Sequence, residues 1–268
     1  MRTRPASLIR RLAACAAILL AGACGLVPEA DSNASATIPI ATLVGATPPT
    51  PEAKPSPRSG PATRGVIVQA GDSIGVGLGA NDWAAINHLD LPSGIAIHNV
   101  SVSGQWMLTG LGQREVDLYP RRDKQHTSVL LIQQGTNDLM GGNSAPYLYE
   151  NILKPFVALS KAAGFYVAVN TILPRKDGGW MSDPSHERER VEYNKLVRAN
   201  SVGADTVIDV AADPVIGDAV DPDTSPLYAD KVHLNQSGQQ RMAKIYAKPL
   251  ALLLRYPPRA PANAQPAN

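Results

Sequence analysis

Cysteine is nearly absent. Cys15 and Cys24 are the two cysteines among 268 residues, and both lie at the N-terminal end, so an exported domain built from the remainder contains no internal disulfide. Aromatic residues make up 5% of the chain, yet apolar residues reach 44%, which suits a soluble chain with one principal domain and a full hydrophobic core. Long hydrophobic runs are also missing: the apolar run Leu12 to Leu20 is too short to cross a bilayer as a permanent helix. An excess of either charge is missing as well. Of 25 basic residues, Arg2, Arg4, Arg10 and Arg11 precede Cys24 and none of the 23 acidic residues does, leaving 21 against 23 and a net of −2 beyond that point. No basic stripe remains to neutralise phosphates, which excludes an electrostatic case for nucleic-acid binding. There is no internal repeat and no zinc-type Cys/His spacing. Gly75-x-Gly77-x-Gly79 lacks the dinucleotide-binding spacing and its partner acid.

What is present begins with a leader. Four arginines, the apolar run and then Ala21-Gly22-Ala23 form the layout of a secretory signal over residues 1–23. Ala21-Gly22-Ala23-Cys24 resembles a bacterial lipobox, with Ala21 where that motif usually has leucine. The resemblance implies a diacylglyceryl anchor on Cys24 and a membrane-anchored or periplasmic protein of a bacterial envelope; ordinary cleavage after Ala23 is the alternative. Residues 24–64 are rich in Ala, Pro, Thr and Ser, with Pro48, Pro49, Pro51, Pro55, Pro57 and Pro61 in the second half. Such a segment buries too little apolar surface to fold and reads as a disordered tether. Membrane contact is then expected only through the N-terminal anchor.

From Gly65 the pattern changes to a folded domain expected over 65–256. Short β-branched runs at Val66–Ala70, Ile95–Val100, Val129–Gln133, Phe165–Thr171 and Thr206–Val210 alternate with amphipathic stretches at Asp82–Leu89, Gln105–Leu118, Pro146–Ala163, Ser185–Val202 and Gln236–Arg255. Strands alternating with helices predict an α/β fold, a three-layer α/β/α sandwich around a mainly parallel five-stranded sheet, with sites at the carboxyl ends of the strands. Residues 257–268, Pro- and Ala-rich without periodicity, read as a disordered tail.

Four stretches at predicted strand ends or before the last helix carry chemistry. Gly71-Asp72-Ser73-Ile74-Gly75 has the small residues that let a strand turn sharply and project the Ser73 hydroxyl. Gly104, closing Asn99-Val100-Ser101-Val102-Ser103-Gly104, offers a backbone N–H unshielded by a side chain, and Asn137 in Gly135-Thr136-Asn137-Asp138 offers an amide N–H. Asp230 stands three residues before His233, a separation at which a carboxylate accepts from Nδ1 and leaves Nε2 free to take a serine proton. Each stretch alone has a bland reading: Ser73 as a turn or cap residue, Asp138 as a helix cap, His233 as a satisfied loop histidine. His88, His98, His126 and His186 read as surface or packing residues.

Together the four resemble the blocks of the SGNH hydrolases, also called GDSL esterases and lipases, in order and approximate spacing from about Gly65 to Arg255; Ile74 replaces the leucine of the nominal Gly-Asp-Ser-Leu signature. The resemblance implies a flavodoxin-like fold and a serine esterase in which Ser73 is the nucleophile, His233 the general base and acid, and Asp230 its orienting partner. Ser73 N–H, Gly104 N–H and the Asn137 side chain would form the oxyanion hole, with no metal or organic cofactor needed. Gly71 to Gly75 also satisfies the Gly-x-Ser-x-Gly elbow of α/β-hydrolases, and Gly-Asp-Ser occurs in trypsin-like proteases. Both place the serine later in the chain than the first strand. Expected substrates are carboxylic esters, O-acetyl or other O-acyl groups on envelope glycans or lipids. An acyltransferase using the same residues, or a non-catalytic envelope-binding lipoprotein on this scaffold, are the alternatives. Trp106, Trp180 and Met181 are candidates for a substrate pocket in which they stack on a sugar; packing under a loop accounts for them equally well.

Overall fold

The computed structural model describes residues 64–262. The signal, Cys24 and the tether of the sequence reading lie outside the described residues.

Five strands form one sheet: β1 Gly65–Gly71, β2 Ile95–Asn99, β3 Thr127–Gln133, β4 Tyr166–Asn170 and β5 Thr206–Ile208. All pairings are parallel, in the order β2-β1-β3-β4-β5. The three inner strands are buried along their whole length, while the edge strands β2 and β5 are partly exposed. That difference explains why the inner strands read as nearly continuous apolar runs, as strands covered on both faces do.

The strand period of two sends alternate side chains to two separate cores. Val66, Val68 and Ala70 of β1 meet Leu130, Ile132, Val167 and Val169 on one face. This face is covered by α2 Met107–Asp117, by a continuous helical segment from Ala145 to Ala162, and by α7 Ser185–Ala199. Ile67 meets Val129, Leu131, Tyr166 and Ala168 on the other, under the last helix, α8 Gln236–Leu253, which contributes Met242, Ala243, Tyr246, Leu250 and Leu253. The result is the expected three-layer sandwich, with each strand end delivering a loop to the same rim.

The helices not yet placed are short: α1 Ser73–Val76, α3 Thr136–Met140 and α6 Gly178–Met181, with α4 Ala145–Tyr147 and α5 Lys154–Ala162 at the two ends of the helical segment just described. Between α4 and α5 the chain widens into a π-turn over Leu148–Leu153, where Lys154 N–H bonds the Tyr149 carbonyl. The widening stands just before Pro155, whose ring carries no N–H for an ordinary helical bond.

Two expectations fail. The helix expected over Asp82–Leu89 shrinks to a 3₁₀ turn at Ala85–His88, because Asn81 and Asp82 take left-handed backbone (φ 52° and 59°) that a helix cannot contain. The Trp83 indole then stacks flat on the His88 ring at 3.8 Å. The tail expected to be disordered from Pro257 is instead fastened to the domain as far as Ala262. Arg259 lies over the Tyr166 ring at 4.2 Å and pairs with Asp205 at 2.9 Å. Pro257 O accepts from the Tyr166 hydroxyl at 3.1 Å, and Ala262 N–H bonds Ala162 O at 2.8 Å. Composition missed this because one arginine and backbone groups, rather than periodic apolar burial, hold the segment.

Candidate active site

β1 ends at Gly71, and the chain turns at once into α1, with Ser73 as its first helical residue. The Asp72 carboxylate caps the helix by accepting Ile74 N–H at 3.0 Å, and Gly77, at φ +89°, ends it after one turn. So short a helix is marginal by itself, and neighbouring side chains hold its carbonyls. Gly75 O accepts from Gln69 Nε2 at 3.1 Å and Asn99 Nδ2 at 2.8 Å. Ile74 O accepts from Nε2 of Gln239, a fully buried residue of α8, at 2.9 Å, while Gln239 Oε1 takes Ala85 N–H at 3.1 Å. Glycine is required here for space: a Cβ at Gly75 would come within 2.5 Å of Ser101 Oγ and 2.4 Å of Gln133 Oε1.

Ser73 Oγ lies 2.9 Å from His233 Nε2, across 160 residues of sequence. His233 Nδ1 in turn lies 2.8 Å from Asp230 Oδ2. Asp230 Oδ1 accepts the backbone N–H groups of Val232 at 2.7 Å and His233 at 2.6 Å, so one carboxylate fixes both the loop and the ring. Burial pushes the Asp230 carboxyl up, but the backbone N–H of His233, its imidazole and the Val232 N–H outweigh it and hold the group below its ordinary range. The loop is closed by an antiparallel bridge between Tyr228 and Leu234 and by Ala229 N–H to His233 O at 2.8 Å. Asn235 caps α8 directly afterwards by accepting Gly238 N–H at 3.1 Å.

The other two strand-end stretches meet each other and the nucleophile turn, where Gly71 O accepts Val102 N–H at 3.1 Å and Gln134 Nε2 at 3.4 Å. Asn137 Nδ2 donates to Gln105 O at 3.1 Å, which ties the β3 loop to the residue following Gly104. Gly104 has φ +75° and no atom within 4 Å of where a side chain would begin, so this face of the backbone is open. Among the described residues neither Ser73 N–H nor Gly104 N–H donates to a protein acceptor. Asp138 does cap a helix, but a distant one: its carboxylate accepts Met107 N–H at 2.8 Å at the start of α2. Asp72 and Asp138 are both buried deeply enough that loss of solvation pushes each carboxyl up to about 6, against the hydrogen bonds they accept. Among the described residues no group of three or more His, Cys, Asp or Glu is placed to hold a metal ion.

The two tryptophans part company. Trp106 is 39% exposed, and Trp180 is 1% exposed with Arg175 over its ring at 5.1 Å. Trp180 thus forms the back wall of a cleft of about 470 Å³, shared with Pro174, Met181, Pro184 and Val220; it offers no open face for stacking on a sugar. Sequence reasoning missed Gln239, Gln69 and Asn99 as supports of the nucleophile turn. Asn99 lay inside a stretch already singled out, but nothing local marks Gln239, whose partners lie more than 150 positions away.

Known structures share this fold. A member of the lipolytic protein G-D-S-L family from Veillonella parvula DSM 2008 superposes with a TM-score of 0.50 at 18% identity, over 68% of this chain and 96% of its own. A protein of Bacteroides fragilis NCTC 9343 gives 0.54 at 22% identity, over 71% and 88%. TesA gives 0.52 at 22% identity, over 70% and 99%. At these identities the likeness speaks for the fold. No curated protein sequence matches the chain. The model of the GDSL-like Lipase/Acylhydrolase family matches residues 70–241, from the end of β1 into α8. The chain therefore belongs to that family and is a carboxylic ester hydrolase of the SGNH type.

Proposed function

We propose that the protein hydrolyses O-acetyl or other O-acyl esters through a covalent acyl-enzyme on Ser73. The observation that carries this reading is the chain of contacts from Ser73 Oγ to His233 Nε2 at 2.9 Å and from His233 Nδ1 to Asp230 at 2.8 Å. A serine hydroxyl is a weak nucleophile until a base takes its proton. His233 Nε2 takes that proton as Oγ bonds to the carbonyl carbon, and the carbonyl oxygen becomes an oxyanion facing Ser73 N–H, Gly104 N–H and Asn137 Nδ2. Donors fixed before the reaction stabilise the developing charge without reorganising. When the tetrahedral species collapses, the bond to the alkoxy oxygen breaks and the same proton passes from Nε2 to the leaving alcohol. Water then repeats the sequence, and His233 returns its proton to Ser73. Asp230 holds the imidazole in the required tautomer and supports its positive charge in both halves.

The envelope setting belongs to the same reading. The leader, the lipobox-like Cys24 and the tether would place the domain at a bacterial envelope, where acylated glycans and lipids supply such esters. Steady-state hydrolysis of p-nitrophenyl acetate by the purified protein tests the chemistry. Ser73→Ala and His233→Ala should each lower kcat by about 10³-fold or more, on the scale of triad removals in other serine hydrolases. Undiminished turnover in Ser73→Ala would reject the assignment.

A further inference from the structure

Gln134 lies outside the triad, yet it joins all three segments that carry the oxyanion donors. It stands on the loop after β3, three residues before Asn137, and is 3% exposed. Its Nε2 donates to Gln105 Oε1, beside Gly104, at 2.9 Å, with a longer contact of 3.4 Å to Gly71 O in the nucleophile turn. A backbone carbonyl only accepts, so the amide cannot be turned over. Its Oε1 consequently faces α2, buried and without a donor among the described residues. Gly110 leaves room for it there, since a Cβ on that glycine would come within 2.6 Å of the oxygen. An apolar side chain of the same size would fill the space without burying an unsatisfied oxygen. The amide therefore acts through its N–H groups rather than through packing.

We infer that Gln134 is a positioning residue, which through Gln105 fixes the spacing of the oxyanion hole. The inference rests on the acyl-enzyme reading. Asn137 Nδ2 carries two hydrogens and donates one to Gln105 O at 3.1 Å. Because the amide is planar, the direction of that bond sets the direction of the second hydrogen, the one the oxyanion meets. Gln105 also follows Gly104 directly, and its own N–H closes the turn by donating to Val102 O at 3.1 Å. A shift of Gln105 thus moves two donors at once. On one side its backbone is held by Trp106, which packs on Gly141 so closely that a Cβ there would come within 2.3 Å of the indole. Its side chain is held by Gln134; its other contact, to Gln113 Oε1 at 3.4 Å, is long and exposed. Ser73 N–H, the third donor, belongs to the turn that Gly71 opens, and the same Gln134 amide reaches that carbonyl.

The test uses Gln134→Met, which keeps the volume and loses the amide, and Gln105→Met, which removes the acceptor at a half-buried position. With p-nitrophenyl acetate each should lower kcat about 10–100-fold while KM moves less than about threefold, because a misplaced donor weakens the transition state alone. The double variant should fall no more than about threefold below the worse single one. In an Asn137→Ala background, Gln134→Met should cost less than about fivefold, since the donor it aims is already gone. Unchanged kcat in both single variants, or losses that multiply in the double variant and in the Asn137→Ala background, overturns the positioning role. The esterase reading then still stands if Ser73→Ala is inactive. Phenylboronic acid, whose boron takes the Ser73 oxygen as the serine proton passes to His233, gives a readout without turnover. Its adduct places an oxygen in the hole, so its affinity should fall about 10-fold or more in Gln134→Met. Equal affinity in both proteins counts against the role, and a wild type that neither hydrolyses the ester nor binds the boronic acid overturns both readings.

Discussion

Asp72 touches the nucleophile turn from behind and carries the clearest quantitative expectation. Its carboxyl is fully buried, and loss of solvation raises it from 3.8 to about 6, opposed by the Ile74 N–H, the Gln133 amide at 3.3 Å and the charges of His233 and Arg175. The folded protein thus holds this proton more tightly than the unfolded chain does. Stability from this group is fully present below pH 4 and is lost as pH rises from about 4 to about 6, the reverse of a salt-bridged carboxylate. About two pK units at 1.36 kcal/mol each make the loss roughly 3 kcal/mol. Asp72→Asn keeps the Oδ1 that accepts Ile74 N–H and carries no charge to bury, so it should escape the loss. Urea unfolding of both proteins at several values between pH 4 and pH 7.5 reads the effect together with its influence on Asp138, whose carboxyl the Asp72 charge also pushes up. The variant should gain roughly 3 kcal/mol on the wild type across that range, a midpoint shift of about 1–2 M at the usual urea slope. A difference that stays flat with pH, or that falls as pH rises, would refute the claim that Asp72 is buried as an ionisable group with inadequate compensation.

Gln239→Leu removes the donor to Ile74 O and the acceptor for Ala85 N–H together. Ile74 O keeps the Gly77 N–H at 3.1 Å, but the buried Ala85 N–H is left without an acceptor at about 1–3 kcal/mol, so Tm in a thermal scan should fall by roughly 2–10 °C; an unaltered Tm would show that this link between α8 and the nucleophile turn contributes nothing to stability. Gly79→Ala places a Cβ at a backbone φ of +87°, 2.9 Å from the His233 Cβ. Displacing the imidazole by even part of an ångström should lower kcat about 10–100-fold, and unchanged kcat with p-nitrophenyl acetate would mean that the loop absorbs the crowding.

The sequence by itself determined the alternation of strands and helices, and so the class of fold. β-branched runs buried on both faces, such as Val66–Ala70 and Val129–Gln133, are legible because their chemistry is local and periodic. The same holds for Ser73, Gly104, Asn137, Asp230 and His233, which sit at strand ends or just before a helix, where backbone turns impose recognisable small and polar residues. Tertiary structure alone decided what holds these residues in place. Gln239 supporting Ile74 O, Asp138 capping α2 and Arg259 fastening the tail to Tyr166 and Asp205 are contacts between segments far apart in the chain. A single glutamine, aspartate or arginine leaves no periodic trace of the partner it will meet. The same limit separated the two tryptophans: Trp106 and Trp180 are equivalent as letters, and only packing against Gly141 or beneath Arg175 made one a surface and the other a wall.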